Sequence, residues 1–445
     1  MRIGLETALA RSLGQRVEQL IRNEWKLGKD SPINHDVIQE MEDRFHTLTA
    51  EEQHFKLSQS TWQMTAPFVP NVAGSTSKLM SMPKNGKAPV IVGTREAIDV
   101  IVEMNADDKG LYIPGINIDK GGMASNIAEA IRLQDQYSNF IAMHGTGPIA
   151  DLHQTLIEAS GIDAKLLRSD KDSYIHPCYL FGEGNSKKEF WMAPFRIPVD
   201  REYLGRFTEM IEDACRENAG EPLVLSAIPP PGAGNEYFSR LVDIGEKHNN
   251  PTFYNPKQYD DMRNTMISFF NQGKLSFIKP NIAEFVKFLR YAQIIPDTDS
   301  SERTILHRLK TQVSYGDLDE TLQLAKELIS RTNPEMVLII SFSEYGAVAV
   351  NSKWAVYIKS PDIGELGCSS GAGDSGLANI VVTAKKKKID LNSTLDQYNL
   401  VDLNEGFVDA SSGTARLQGN QIASCANIAS YKSTYTLSPV VIDLR

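Results

Sequence analysis

The stretch GCSSGAGDSGLANIVV, residues 367–382, places Asp374 directly after the small residues Gly371, Ala372 and Gly373 and before a mostly apolar segment. Small residues let backbone N–H groups converge on an anion, and the N-terminus of a following helix adds a favourable dipole. A carboxylate suits such a site if it accepts a proton from an attacking hydroxyl while the N–H groups stabilise a transferred phosphoryl group. The alternative is an aspartate that only caps a helix after a glycine-rich turn.

The composition is that of a globular protein with a large core. The chain has 445 residues, of which 41% are hydrophobic and 23% charged, and its net charge is -10. This charge disfavours nucleic acids and anionic membranes as partners, because both need a basic face. The basic run over residues 385–388 is interpreted as the solvated end of a helix. No stretch approaches the roughly 20 consecutive apolar residues of a membrane span.

Cysteine usage indicates a reducing compartment. The four cysteines, Cys178, Cys215, Cys368 and Cys425, are scattered and show no metal-ligand spacing, which disfavours a zinc site. Sparse cysteines fit the cytosol better than a disulfide framework. The first 20 residues are too charged for the apolar region of a signal peptide. We therefore expect a cytoplasmic protein.

Two zones differ in texture. Residues 1–85 are predicted to be a helical N-terminal extension, because residues 5–25 carry apolar positions at three-to-four spacing. From about residue 88 to 445, short apolar runs such as PVIVG, NFIAMHG, PLVLSAI, LSFIKPN and MVLIISF alternate with amphipathic stretches. Buried strands alternating with helices predict an α/β fold with a largely parallel sheet. Ligands bind beyond the carboxyl ends of such strands, so the loops after the runs are candidate sites.

Three further loops carry candidate residues. Asn281 and Glu284 stand three apart after the run LSFI and can face one point, which suits Mg²⁺ held through water. The alternative for this pair is a helix capping box. Gly121 and Gly122 permit close backbone approach to a ligand, and Asn126 can donate and accept hydrogen bonds; a turn with an asparagine cap is the alternative.

The last of these loops follows PVIVGTREA and carries Asp99. One carboxylate at a buried edge can accept hydrogen bonds from two hydroxyls of a polyol. An aspartate on the surface is the alternative interpretation.

The order of these segments resembles the ribokinase-like carbohydrate kinases, which include the phosphofructokinase B branch. The matching segments are IVGTREAID, GGMASNIAEAIRL, LVLSAIPPPGAGN, IKPNIAEF and SSGAGDSGL, and the resemblance covers about residues 88–430. It implies a three-layer α/β/α fold with a small β lid, whose strands we expect around residues 101–118 and 189–199. Residues 341–350 and 410–419 resemble segments that bind the nucleotide in the family, which implies nucleotide contacts for Gly346 and Gly413.

The resemblance implies ATP-dependent phosphorylation of a sugar hydroxyl. Asp374 would be the general base, and Gly371, Ala372 and Gly373 would form the anion site. Asp99, Gly121, Gly122 and Asn126 would hold the acceptor. Asn281 and Glu284 would position Mg²⁺ and the nucleotide, and a monovalent cation is a further candidate cofactor. The expected partners are a sugar or phosphosugar, a nucleotide and a second copy of the chain in a homodimer.

Some features depart from the family pattern and keep alternatives open. Met123 stands where the phosphosugar branch usually has a lysine, which disfavours a sugar phosphate as acceptor. Residues 1–85 have no counterpart in the basic family domain. A nucleoside kinase of the same fold, an ADP-dependent sugar kinase and a non-catalytic kinase-like protein that binds a partner are the alternatives. The sequence does not name the sugar or the donor.

Overall fold

The computed structural model describes most of the chain from residue 86 onward. The described residues are 86–94, 96–107, 110–134, 136–169, 175–181, 188–191, 199–226, 230, 233, 236–256, 273–363, 371–416 and 437–444. The helical extension expected over residues 1–85 lies outside them.

A ten-stranded sheet forms the centre of the described structure. Its strands, in spatial order, are β14 (Pro439–Asp443), β13 (Trp354–Ile358), β12 (Ala347–Val350), β11 (Val337–Ser341), β10 (Phe277–Ile278), β9 (Thr252–Tyr254), β8 (Leu223–Leu225), β1 (Val90–Gly93), β4 (Asn139–His144) and β5 (Ala164–Arg168). The seven strands from β11 to β5 pair in parallel, whereas β12, β13 and β14 add an antiparallel edge.

Helices cover both faces of this sheet. They are α1 (Met123–Arg132), α2 (Pro148–Ala159), α3 (Arg201–Glu217), α4 (Tyr237–Lys247), α5 (Ile282–Tyr291), α6 (Asp299–Ser314), α7 (Asp319–Arg331), α8 (Ala372–Lys387) and α9 (Gln397–Arg416). After its first turn, helix α8 continues with a buried and mostly apolar segment. The basic run at 385–388, at the C-terminal end of the helix, is exposed, as predicted.

Alternation along the strands divides the core into two clusters. Val90 and Val92 pack with α3 to α7 on one face, whereas Ile91 packs with α1, α8 and α9 on the other. Adjacent residues of a strand point to opposite faces, so a strand with apolar residues at every position is buried on both sides. This pattern confirms the predicted three-layer arrangement with a mostly parallel sheet.

A second sheet of four strands stands apart from the central one, in the order β3, β2, β6, β7. Its strands are β2 (Ala97–Asp107), β3 (Gly110–Gly121), β6 (Ile175–Phe181) and β7 (Lys188–Trp191). Strands were expected around 101–118 and 189–199, whereas β6 was not predicted; it contains Pro177, a residue that weakens a strand assignment. Residues 192–198 lie outside the described part, and the function of this sheet as a lid stays a prediction.

None of the helices in the described part of the chain has the length and apolar character needed to cross a membrane.

Candidate active site

Three adjacent parallel strands end in polar residues at one edge of the sheet. Ser226 follows β8, Asn255 follows β9 and Lys279 follows β10. The backbone N–H of Asn255 donates to Leu225 O (3.1 Å), and that of Lys279 donates to Tyr254 O (3.1 Å), so the ladder continues one residue past each strand. Their side chains therefore start from fixed points at the carboxyl edge, where ligands bind in open α/β sheets.

Helix α8 begins at the same edge, and residues 371–374 form its N-cap and first turn. Gly371 is its N-cap residue, with φ 76° and ψ -10°, and its carbonyl accepts a hydrogen bond from Ser375 N (2.9 Å). The N–H groups of Ala372, Gly373 and Asp374 therefore belong to the first turn, which has no acceptor within the helix. The alternative in which Asp374 is the N-cap residue is wrong, because Gly371 is the N-cap and Asp374 is the third helical residue.

The Asp374 carboxylate is held by two side-chain amides from different elements. Asn255 Nδ2 donates to Oδ1 (3.1 Å) and Asn126 Nδ2 donates to Oδ2 (3.2 Å). Asp374 is buried, with 8% of its surface exposed. Asn126 lies within α1, whose N-cap is Gly122, so its side chain is not a helix cap. The structure thus brings Asn126 and Asp374, 248 residues apart, into direct contact.

A lysine side chain lies beside the start of α8. Lys279 Nζ lies 2.5 Å from the position that a Cβ would occupy on Gly373, so no other residue fits there without displacing the ammonium group. Lys279 is buried, and its Nζ lies 5.8 Å from the centre of the Phe407 ring. Sequence reasoning assigned no role to Lys279; its position directly after an apolar run was the signal that could have found it.

Two buried carboxylates pack beneath the Gly121–Gly122 turn. A Cβ on Gly121 would overlap the Asp99 carboxylate, and a Cβ on Gly122, where φ is 103°, would overlap that of Glu96. Both carboxylates are buried, and Glu96 accepts a hydrogen bond from Ser125 N (3.3 Å). Asp99 was predicted for this site, whereas Glu96 was missed, because nothing in the sequence distinguishes it from a surface glutamate.

Burial raises the pKa of the Glu96 carboxyl from 4.5 to about 8, although the hydrogen bond from Ser125 and the charge of Lys120 oppose this. Lys120 is itself fully buried and ion-paired with Glu129 at 2.5 Å. Glu96 is therefore a protonated carboxyl at neutral pH that can both donate and accept one hydrogen bond.

Replacing Glu96 by glutamine is expected to remove a pH dependence of stability. Between pH 4.5 and 8 the folded carboxyl keeps a proton that the unfolded chain has lost, so the free energy of unfolding of the wild type falls as pH rises through this window. Each pKa unit corresponds to about 1.4 kcal/mol, so E96Q should be a few kcal/mol more stable than wild type at pH 8 and similar to it at pH 4.5. Denaturant unfolding across this range checks the result, with the exposed Glu335→Gln as control. Parallel pH profiles of wild type and E96Q would contradict it.

Asn281 and Glu284 form a capping box at the start of α5. Glu284 N donates to Asn281 Oδ1 (2.9 Å), and Asn281 N donates to Glu284 Oε2 (2.8 Å). The alternative considered from the sequence therefore occurs, and the metal role stays a prediction. The residue types fit a magnesium ion, because carboxylate and amide side chains supply oxygen ligands and Mg²⁺ needs few protein ligands besides water. The described residues contain no group of three or more metal-binding side chains.

Replacing Glu284 by glutamine separates the two roles. Glutamine can still accept the Asn281 N–H, so the free energy of unfolding should change by less than about 1 kcal/mol. The loss of charge should raise the Mg²⁺ concentration that gives half-maximal rate. A magnesium titration measures this, with Asp200→Asn, which alters the N-cap of α3, as control. An unchanged magnesium requirement would restrict Glu284 to capping.

The two glycines predicted to contact the nucleotide lie in different settings. Gly346, with φ 104°, precedes β12, and a Cβ there would overlap Ile358 O, so hairpin packing alone requires glycine. Gly413 is buried within α9. Their nucleotide contacts stay predictions.

Comparison with known proteins gives a consistent result. A model of the pfkB family carbohydrate kinases matches residues 90–388. Phosphofructokinase-2 from Escherichia coli in complex with fructose-6-phosphate superposes with a TM-score of 0.57 at 15% identity, covering 78% of this chain and 99% of that one. The same enzyme in complex with potassium gives a TM-score of 0.58 at 15% identity with the same coverage. Ribokinase from Giardia lamblia gives 0.56 at 12% identity, covering 76% and 96%.

At these identities the solved structures bear on the fold alone, and they confirm the predicted ribokinase-like architecture. No curated protein sequence matches the chain significantly.

Proposed function

Because the chain belongs to the pfkB family of carbohydrate kinases, we propose that it transfers the γ-phosphoryl group of ATP to a hydroxyl of a sugar or sugar-like alcohol, with Asp374 as the general base. Family membership makes it a carbohydrate phosphotransferase that uses ATP. The observation that carries the finer proposal is the Asp374 carboxylate, held by two amides at the N-terminus of α8.

Asp374 would take the proton of the attacking hydroxyl. One amide N–H is donated to each carboxylate oxygen, which fixes the carboxylate in the orientation in which it would meet a hydroxyl donor. Burial excludes most water from the carboxylate, so a bound alcohol rather than solvent would meet it. A base within hydrogen-bond distance of the hydroxyl typically contributes about 10²–10⁴-fold to the rate.

The charge that develops on the transferred phosphoryl group would be stabilised by the start of α8. The N–H groups of Ala372, Gly373 and Asp374 point out of the first turn, and the positive end of the helix dipole lies there. The Lys279 ammonium group lies against Gly373 and adds a full positive charge. Preorganised donors of this kind act most strongly in a site from which water is excluded.

Kinases of this family use ATP and Mg²⁺, and Asn281 and Glu284 are the residues that would hold the metal ion. When bound, the ion neutralises charge on the β- and γ-phosphate oxygens. A monovalent cation is a further candidate, supported by the potassium complex of phosphofructokinase-2.

The acceptor would lie against the Gly121–Gly122 turn, with Asp99 and Asn126 as polar partners. We propose an unphosphorylated acceptor, because the carboxyl groups described beside this turn belong to Glu96 and Asp99, and Lys120 is already neutralised by Glu129. A phosphate group placed there would meet the Asp99 carboxylate. The four-stranded sheet is proposed as the lid that excludes water, and a homodimer is proposed as the assembly.

A panel of acceptors tests this function. D-ribose, D-fructose, fructose 6-phosphate and adenosine would each be incubated with ATP or ADP, and release of the nucleotide product would be measured. We expect turnover with ATP and an unphosphorylated sugar. Turnover only with adenosine would indicate a nucleoside kinase, and turnover only with ADP would identify the other donor class. Nucleotide binding without turnover on a broad panel of sugars would support the non-catalytic alternative.

A further inference from the structure

Asn255 belongs to none of the sequence motifs described above, yet its side chain lies beside Asp374 in the candidate site. It is 2% exposed, and its backbone N–H is tied to Leu225 O. Its Nδ2 lies 3.1 Å from Asp374 Oδ1, 3.3 Å from Ser226 Oγ and 3.9 Å from Met123 Sδ. Asn255 thus links the ends of β8 and β9 to the first turn of α8.

Chemistry fixes which end of the Asn255 amide faces Asp374. An ionised carboxylate only accepts hydrogen bonds, so the NH₂ group and not the carbonyl oxygen must face Oδ1. Asn126 does the same at Oδ2 from α1. One oxygen of the Asp374 carboxylate is therefore hydrogen-bonded to Asn255, which follows β9, and the other to Asn126, which lies in α1. These two hydrogen bonds restrict rotation of the carboxylate about its χ2 angle.

We infer that Asn255 is a positioning residue for Asp374, which rests on the proposed role of Asp374 as general base. With an amide N–H donated to each oxygen, the carboxylate keeps one orientation toward the acceptor hydroxyl. Without Asn255, Oδ1 loses its tie and the carboxylate samples orientations that do not take the proton. A misplacement of about 1 Å can lower a rate by about 10²-fold.

Several titratable groups lie near the first turn of α8 among the described residues. Lys279 faces Gly373 from the end of β10, Glu96 lies at the start of α1 and Asp99 lies against Gly121. Lys120 and Glu129 form a neutral pair, and α9 presents the hydroxyl of Ser411 to Ala372 O (3.0 Å). A carboxylate at residue 255 would lie in direct contact with Asp374, because Asn255 Nδ2 is 3.1 Å from Asp374 Oδ1.

Two variants test the inference with the acceptor that the panel identifies. Asn255→Leu removes the amide at similar size, and Asn255→Asp replaces the NH₂ group by an oxygen. Both should lower kcat by about 10-fold to 10²-fold with little change in KM. Both should also move the acid limb of the pH–rate profile upward, N255D by about one unit or more, because two carboxylates in contact cannot both ionise easily.

Asn250 offers a matched control at the opposite end of β9. It is also buried, and its Nδ2 donates to Asn218 O (2.9 Å) and Glu221 O (2.7 Å). N250L and N250D should lose stability without moving the acid limb. An acid limb in N255L and N255D that matches wild type would overturn the inference, whatever the loss of stability.

A measurement without any acceptor keeps this result separate from that of the proposed function. In protein labelled with ¹³C at the aspartate side-chain carboxyl, the resonance absent from D374N belongs to Asp374, and its pH titration can be followed directly. Its midpoint should rise in N255L and N255D and stay in place in N250L. If wild type phosphorylates no acceptor but the Asp374 midpoint rises in N255L and N255D as expected, the proposed function fails and the positioning of Asp374 by Asn255 is supported. If wild type is active but neither readout moves, the inference fails alone.

Discussion

Asp374→Asn is expected to lower turnover by about 10²–10⁴-fold while nucleotide binding stays largely intact. The change is nearly isosteric, so the α8 start and its N–H groups should keep their positions. An asparagine cannot take the proton of the attacking hydroxyl. The amides of Asn255 and Asn126, at 3.1 and 3.2 Å from the two carboxylate oxygens of wild type, would in D374N face one oxygen and one NH₂ group. Loss of a negative charge beside the phosphoryl site removes repulsion, so nucleotide affinity should not fall.

The measurement is kcat with the acceptor that gives wild-type turnover, together with nucleotide affinity by calorimetry. Asp151→Asn is a suitable control, because Asp151 also lies in the first turn of a helix but is exposed and paired with Arg168. D151N should keep wild-type kinetics. Turnover of D374N within a few-fold of wild type would remove the general-base assignment.

The sheet could be predicted from the sequence where strands are long and apolar. The run VLII at residues 337–340, for example, is apolar at every position because both faces of the strand are buried. Strand β9, with only Thr252–Tyr254, has too few residues to show a pattern, and its central Phe253 stacks on Phe277 of the neighbouring strand at 4.2 Å. Because β9 was not predicted, Asn255 was not predicted either. Its sequence position becomes informative only when it is known to follow directly after a strand.

The candidate site could be predicted where residue types recur in a fixed order, and not where burial decides the chemistry. Asp374 and Asn126 were predicted as site residues in two separate loops. Their contact depends on helices α1 and α8 starting at the same edge of the sheet. Glu96 and Asp99 are both acidic residues of one short segment, and both are buried against the Gly121–Gly122 turn, which lies more than 20 residues further along the chain. Sequence pattern reports neither desolvation nor proximity across such distances.

Lys279→Met is expected to lower turnover by about 10²–10³-fold, comparable with removal of a donor from an oxyanion site. The Lys279 ammonium lies beside the first turn of α8, where the helix dipole is also positive. Two positive features in a buried place repel each other unless an anion lies between them. The protein without nucleotide should therefore tolerate K279M well, since methionine fills similar volume beside the Phe407 ring without a charge.

K279M should show a combination of effects that general damage to the fold would not produce. The thermal midpoint of the free protein should stay the same or rise, whereas the increase caused by ATP should shrink, because the bound state loses an ionic contact. Lys279→Arg should keep part of the activity, since the charge remains but its geometry changes. Lys274→Met is the control at the other end of β10, where the lysine pairs with Asp243 and Glu246 on the surface. If K279M kept wild-type turnover and the full ATP-induced shift, the ammonium would have no part in binding the phosphoryl group, and the anion site would consist of the backbone N–H groups of α8 alone.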